Sequence, residues 1–244
     1  MFKMVLRTLL VIAVVFILPG LLQLGVWAAS DRPGSWRQAD WSSAGILPAP
    51  KLNQASAYIL VARTGGMKGA LASHSWIVLK KPGVSRYDRY DVVGWGKPVR
   101  KNAYDPDGRW YSNAPVIHYE LQGDKAARLL GKLETAITRY RWSDYGDYTI
   151  WPGPNSNTFV ASIVQAVPGF DTVMPSTAVG RDFPEDGRWI KWTSTGALRA
   201  TLAGYAGFVV GGEEGIELNF LGLVAGFNWS RGEIKIPAVG SVYL

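Results

Sequence analysis

Two residues in this chain have the types that nucleophilic acyl chemistry needs: Ser156, where a loop turns into a helix, and His74, at the start of a strand. Around the serine, Trp151-Pro152-Gly153-Pro154 denies regular structure. Phe159, Val160, Ile163, Val164 and Val167 then recur at helical spacing until Pro168-Gly169 ends the run. Ser156 is therefore expected at a helix N-terminus. Backbone N–H groups there lack intrahelical partners and the dipole favours negative charge, so an oxyanion or an attacking anion would be stabilised. The same letters also make a cap, because Asn, Ser and Thr are the preferred N-cap residues and a cap needs no chemistry.

An alcohol nucleophile needs a base, and the chain has two histidines. His74 opens the run Ala72 to Lys80, which is rich in strand formers and closed by Lys81-Pro82-Gly83. His118 lies within Pro115 to Leu121, where alternation sets Ile117, Tyr119 and Leu121 on one face and His118 with Val116 and Glu120 on the other. For each histidine the alternative is a strand imidazole hydrogen-bonded to a neighbour. The group that would orient the base is open among Tyr90, Asp91 and His118, with Asp91 the most conventional partner. Tyr148 reads either as packing or as part of an oxyanion site. Asn155, Asn157 and His118 join it as candidate oxyanion or substrate-binding residues.

A histidine at the start of one strand, followed through further strands by an Asn-nucleophile pair that opens a helix, resembles the circularly permuted papain-like hydrolases. These are relatives of NlpC-type peptidases and of lecithin:retinol acyltransferase. The order is kept, with His74 before Ser156, as is the flavour of Asn155-Ser156-Asn157-Thr158-Phe159, over about residues 55 to 168. The chain also resembles, along most of its length, an uncharacterised bacterial family with a membrane-anchored N-terminus and an Asn-Ser-Asn-Thr signature. The resemblance implies an α+β, NlpC-type domain, with an antiparallel sheet packed against helices, and action on amides or esters.

Ser156 stands where the papain-like enzymes have cysteine. A cysteine beside an imidazole at a helix N-terminus can rest as a thiolate, since its pKa begins near about 8.5 and the dipole lowers it, whereas an alcohol must give up its proton during attack. Ser156 thus requires an imidazole nitrogen in reach, a group orienting that imidazole, and good oxyanion donors.

Composition narrows the classes. The chain has 244 residues, 48% hydrophobic and 18% charged, with no cysteine. Disulfides, a thiol nucleophile and thiolate metal sites are excluded, and two histidines make an all-protein zinc site improbable. No metal or cofactor is expected, although a Ca²⁺ or Mg²⁺ site using only oxygen ligands stays open. Asp105-Pro106-Asp107-Gly108 is turn chemistry without the remainder of a calcium loop. The formal charge is +7, or 7 − 2 = +5 without Lys3 and Arg7; that modest excess suits an anionic membrane surface or cell-wall polymer, and without clustered Arg and Lys interleaved with aromatics no nucleic-acid partner is expected.

Lys3 and Arg7 precede an apolar run from Thr8 to Ala29. About twenty apolar residues span a bilayer, so residues 1–29 read as a signal-anchor in preference to a removed signal peptide, with the body outside the cytoplasm. Val26-Trp27-Ala28 offers a small-residue cleavage site for the removed form. Residues 30–54 read as a linker or wrapping arm, 55–168 as the papain-like core and 169–244 as an extension packed on it. Thr195 to Phe227 is apolar but interrupted by charge, which disfavours a second span and leaves strand and turn, or a lipid-facing lip over the site. The expected protein sits in a bacterial inner membrane, facing the periplasm or exterior. It would be a hydrolase or acyltransferase using Ser156, His74 and Asp91 on peptidoglycan peptides or acyl lipids. The alternatives are an envelope protein that binds such ligands without turning them over, and a structural protein in which the Asn-Ser-Asn-Thr run is only a cap.

Overall fold

The computed structural model describes residues 1–244. It opens with one helix, α1 (Phe2–Ala29), long and apolar enough to cross a membrane. A π-helical turn at Ala13–Ile17 lies just ahead of Pro19, whose ring cannot donate a backbone hydrogen bond.

Five strands follow: β1 (Ser56–Arg63), β2 (Ser73–Lys80), β3 (Asp88–Val92), β4 (Val99–Lys101) and β5 (Val116–Gln122). They form an antiparallel sheet in the order β4-β3-β2-β1-β5. The central strands β1 and β2 are buried on both sides and carry unbroken apolar runs such as Ile59-Leu60-Val61 and Trp76-Ile77-Val78-Leu79. Two helices, α2 (Gly123–Thr138) and α3 (Ser156–Ala166), cover one face. Ile59, Ile77, Leu79 and Val92 of the sheet meet Leu130, Leu133 and Ile137 of α2 and Phe159, Val160 and Ile163 of α3 in the main core. The other face carries Tyr58, Leu60, Trp76 and Val78 under Trp110.

The arm that precedes β1 wraps rather than links. Trp41 lies edge-on to Trp110 with ring centroids 5.2 Å apart. Asp107 accepts hydrogen bonds from Ser43 Oγ at 2.5 Å, Ile46 N at 2.7 Å and Leu47 N at 3.2 Å. This carboxylate is committed to fastening the arm. β3 ends at Val92, and Val93, Gly94 and Trp95 form part of a cavity wall.

Residues beyond α3 build a second sheet. β6 (Ile190–Trp192), β7 (Leu198–Leu202), β8 (Ala206–Gly211), β9 (Gly215–Phe220), β10 (Leu223–Asn228), β11 (Glu233–Ile236) and β12 (Gly240–Tyr243) run as an antiparallel meander in chain order. Thr195 to Phe227 forms strands and turns of this sheet.

Candidate active site

A cavity of about 860 Å³ opens where β1 ends, β2 begins and β3 ends, beside the N-terminus of α3. His74, Trp110, Tyr148, Asn155, Ser156 and Asn157 line it. Three separate segments meet there, and one side chain ties two of them together. Asn157 donates from Nδ2 to the Ser73 carbonyl and to the Val179 carbonyl, both at 2.8 Å, and accepts from Ser75 Oγ at 2.8 Å. Since Ser73 and Ser75 flank His74 and Asn157 follows Ser156, this latch sets the strand of the base against the helix of the serine.

The cap belongs to Asn155. Its Oδ1 accepts from the backbone N–H groups of Asn157 at 2.9 Å and Thr158 at 3.2 Å, and Thr158 Oγ1 accepts from the Asn155 backbone N–H at 3.1 Å, completing a capping box. Asn155 Nδ2 donates to the carbonyls of Ile150 and Val179. Gly180, at φ +97°, sits against the Asn155 carboxamide, and a Cβ there would lie 2.2 Å from Nδ2. Ser156 thereby escapes capping duty. Its hydroxyl and its own backbone N–H make no hydrogen bond within the chain, and the residue borders the cavity. Asn155 and Asn157 have their side-chain donors committed to carbonyls, so as oxyanion candidates they leave the Ser156 N–H as the open donor of the helix terminus.

His74 shares its sheet face with Trp76 and Val78, the face away from α3, and is buried. Its ring stacks on Trp110 with centroids 3.7 Å apart and planes 9° from parallel. Nε2 lies 2.9 Å from Asp91 Oδ1. Asp91 is ionised and held by Arg89, whose Nε donates to Oδ2 at 2.7 Å and whose Nη2 donates to Oδ1 at 2.9 Å. Burial acts to raise the Asp91 carboxyl, but the Arg89 charge and the bonds from His74 and Arg89 overcome it and hold the group below its ordinary 3.8. For His74, burial is the largest influence and pushes its pKa below the ordinary 6.5, against the Asp91 bond and charge, which act to raise it. The imidazole is therefore neutral at physiological pH. An ionised carboxylate at Nε2 requires the proton on that nitrogen, which leaves Nδ1 as a lone-pair acceptor without a partner.

No hydrogen bond joins Ser156 to His74: they border one cavity from the two sides of the sheet end. Tyr148 also borders it, with its ring against Gly94 and its hydroxyl unbonded. Burial, with Tyr111 adding to it, pushes that phenol up to about 12, so it can only donate as a neutral O–H. His118 is elsewhere. Its Nε2 donates to the Val173 carbonyl at 2.8 Å, and it borders a separate cavity with Arg231 and Tyr243. It is the hydrogen-bonded strand histidine and belongs neither to the base system nor to substrate binding in the Ser156 cavity. Tyr90 points to the helix side, into the main core, so Asp91 is the partner of His74.

Arg89 and Trp110 escaped the sequence reading. Arg89 was findable: in Arg89-Tyr90-Asp91 a strand period of two puts the guanidinium and the carboxylate on one face. Trp110 was not, because its position comes from the long excursion between β4 and β5.

The latch can be tested separately from chemistry. Asn157→Ala removes three hydrogen bonds, two buried and one part-buried, and leaves the Ser75 hydroxyl and two carbonyls without these partners. A loss of about 2 kcal/mol is expected from the cost of unmet buried groups, read as a lowered Tm of the full chain. An unchanged Tm would mean that these contacts hold nothing together.

A family model described as protein of unknown function (DUF3750) matches residues 54–183, just over half of the chain. No curated protein matches. No solved structure matches.

Proposed function

The chain belongs to that family of unknown function, DUF3750, and on that premise we propose a membrane-anchored hydrolase or acyltransferase that cleaves acyl esters or amides through Ser156. The observation that carries this reading is the free end of each partner in one cavity. His74 has its Nε2 fixed on Asp91 and its Nδ1 unbonded, while Ser156 has both its hydroxyl and its backbone N–H unbonded at the start of α3.

The steps follow from those atoms. Ser156 Oγ attacks the substrate carbonyl carbon as its proton passes to His74 Nδ1. The carbonyl oxygen becomes an oxyanion held by the Ser156 N–H and the helix dipole, with Tyr148 as a neutral donor beside it. Collapse breaks the bond to the leaving oxygen or nitrogen, which takes the proton from Nδ1 and leaves an acyl-serine. Water or an acceptor alcohol or amine then attacks the acyl carbon as its proton passes to Nδ1; the acyl–Oγ bond breaks, the acyl product leaves, and Nδ1 returns the proton to Ser156 Oγ. Asp91 keeps the tautomer and remains ionised throughout.

Acyl lipids fit better than peptidoglycan peptides. Leu71, Leu221 and Leu223 line the cavity, and Leu71 and Leu223 lie against Gly20 of α1. This reading sets the protein in a bacterial inner membrane with its body in the periplasm or outside, as Lys3 and Arg7 ahead of the span favour. The absent Ser156–His74 bond, and the hold of Arg89 on both Asp91 oxygens, favour a second reading: a groove that binds acyl chains without turning them over.

Inactivation by a serine-directed fluorophosphonate, followed by mass mapping against pH, separates the two. An adduct on Ser156 is expected, with a rate that is flat above pH 6.5 and falls only below it, since a depressed imidazole loses its proton earlier than a free one. Stability has the same sign. Below 6.5 the unfolded chain takes up a proton that folded His74 refuses, so stability falls as pH drops from there toward the folded value. Absence of an adduct supports the binding groove.

A further inference from the structure

The C-terminal sheet is inside out. Sheets with one face on a core alternate apolar inward and polar outward, and here the order is reversed. The face turned toward the body carries Lys191, Arg199, Glu217, Glu233 and Lys235, all buried. They are paired among themselves and with neighbours: Lys235 Nζ lies 2.5 Å from Glu217 Oε1, Arg181 pairs with Glu217, and Lys191 pairs with Glu185. The opposite face has no polar side chain on any of the seven strands. Register aligns Val210 with Ile216, Ile216 with Phe227, and Phe227 with Ile234. A parallel row joins Phe208 to Leu218 and Leu218 to Ala225. Phe208, Val210, Ile216, Leu218, Phe227 and Val242 are each at least 41% exposed. Six inter-strand spacings make this face about 29 Å wide, far beyond a scattered apolar surface.

Its neighbour identifies what covers it. Phe220, on the same face, meets Phe16 of α1 with ring centroids 5.6 Å apart, and Leu223 of the same row lies against Gly20. The indole of Trp27, at the end of the helix, donates to the Gly66 carbonyl at 3.0 Å and lies under the Arg32 guanidinium at 4.9 Å, the pairing of an interfacial aromatic with a cation. Phe16 precedes Trp27 by about 16 Å of helix, close to the depth of one leaflet. Trp192 and Trp229, both exposed, stand near the margins of the face.

We infer that this apolar sheet face is seated in the outer leaflet of the membrane that α1 crosses, a second contact with the bilayer that does not depend on any catalytic role for Ser156. The buried ion pairs behind it are the counterpart, since charges that would normally face water have been turned inward where each finds a partner.

The chain has no native cysteine, so single-cysteine labelling of the full-length protein in phosphatidylcholine–phosphatidylglycerol vesicles reads the inference directly. A bimane at Phe208→Cys or Leu218→Cys is expected to be quenched by brominated acyl chains to the same extent as one at Val14→Cys in α1. Both should be protected from aqueous iodide relative to a label at Lys125→Cys on exposed α2. Phe227→Cys reports on the same face if either of the first two fails to fold. Iodide quenching equal to that at Lys125→Cys overturns the inference. So does protection from both quenchers, which would mean that a second copy of the chain or another protein covers the face.

Discussion

Ser156→Ala is expected to abolish turnover of an acyl ester and labelling by a fluorophosphonate while leaving Tm unchanged. The two halves come from different atoms. Removing a nucleophile from a Ser-His-Asp system costs on the order of 10³-fold or more in rate, with residual activity left to the oxyanion donors and binding. The stability half comes from Asn155, which holds the cap with its own Oδ1. Losing the Ser156 hydroxyl removes no hydrogen bond, and alanine suits the first turn of a helix, so a change within about 0.5 kcal/mol is expected. Retained turnover by Ser156→Ala would end the nucleophile assignment. Asn155→Ala gives the reverse pattern, since it strikes the capping box and the bonds to Ile150 and Val179; a clear drop in Tm should accompany whatever happens to activity.

The largest loss of stability is expected at Arg89→Met. Arg89 and Asp91 are each 0% exposed, and the guanidinium also lies over the Trp76 ring at 3.9 Å. Without it the Asp91 carboxylate stays buried with His74 as its one remaining side-chain partner, and stranding a buried charge costs about 3–5 kcal/mol. Asp91 must then take up a proton, or draw one onto His74. The phosphonate inactivation profile should therefore shift to higher pH, because Arg89 acts to lower the His74 pKa and that influence is gone. Thermal unfolding of the full chain in detergent, together with that profile, checks both parts. Arg89→Met combined with Asp91→Leu should regain much of the lost Tm, since no charge is then left unpaired. A loss below about 1 kcal/mol in the single variant would show that Asp91 does not need the clamp.

How much of this was legible in the letters differs from region to region. β5, α2 and α3 were readable because their apolar residues recur with periods that local geometry imposes: 3.6 in Leu129 to Ile137, and 2 in Val116 to Leu121; β1 and β2 were readable as short unbroken apolar runs bounded by turn residues. The meeting of His74 with Asp91 was within reach, because adjacent antiparallel strands bring such residues together. The limit came with Asn155. Asn155, Ser156 and Thr158 are all good caps by type, and which of them caps is decided by Gly180, whose missing Cβ leaves room for the Asn155 carboxamide. No local pattern announces a contact across that separation. His118 misled for the same reason, since a carbonyl at Val173 satisfies it from outside its own strand. The second sheet was obscured by its inversion: Lys191, Arg199, Glu217, Glu233 and Lys235 alternate with apolar residues as surface charges would, and the alternation does not say which side is turned in.

The indole of Trp27 joins the N-terminal helix to the body. It fills the space over Gly69, where a Cβ would lie 2.4 Å from the ring, and bonds to the Gly66 carbonyl. Gly66 is itself part of the cavity wall. A chain cut after Val26-Trp27-Ala28 would lose that indole, leaving Gly69 uncovered and the Gly66 carbonyl without its donor. The end of the N-terminal helix is thus a structural part of the body, closing a glycine surface that no residue of the body itself covers in the same way.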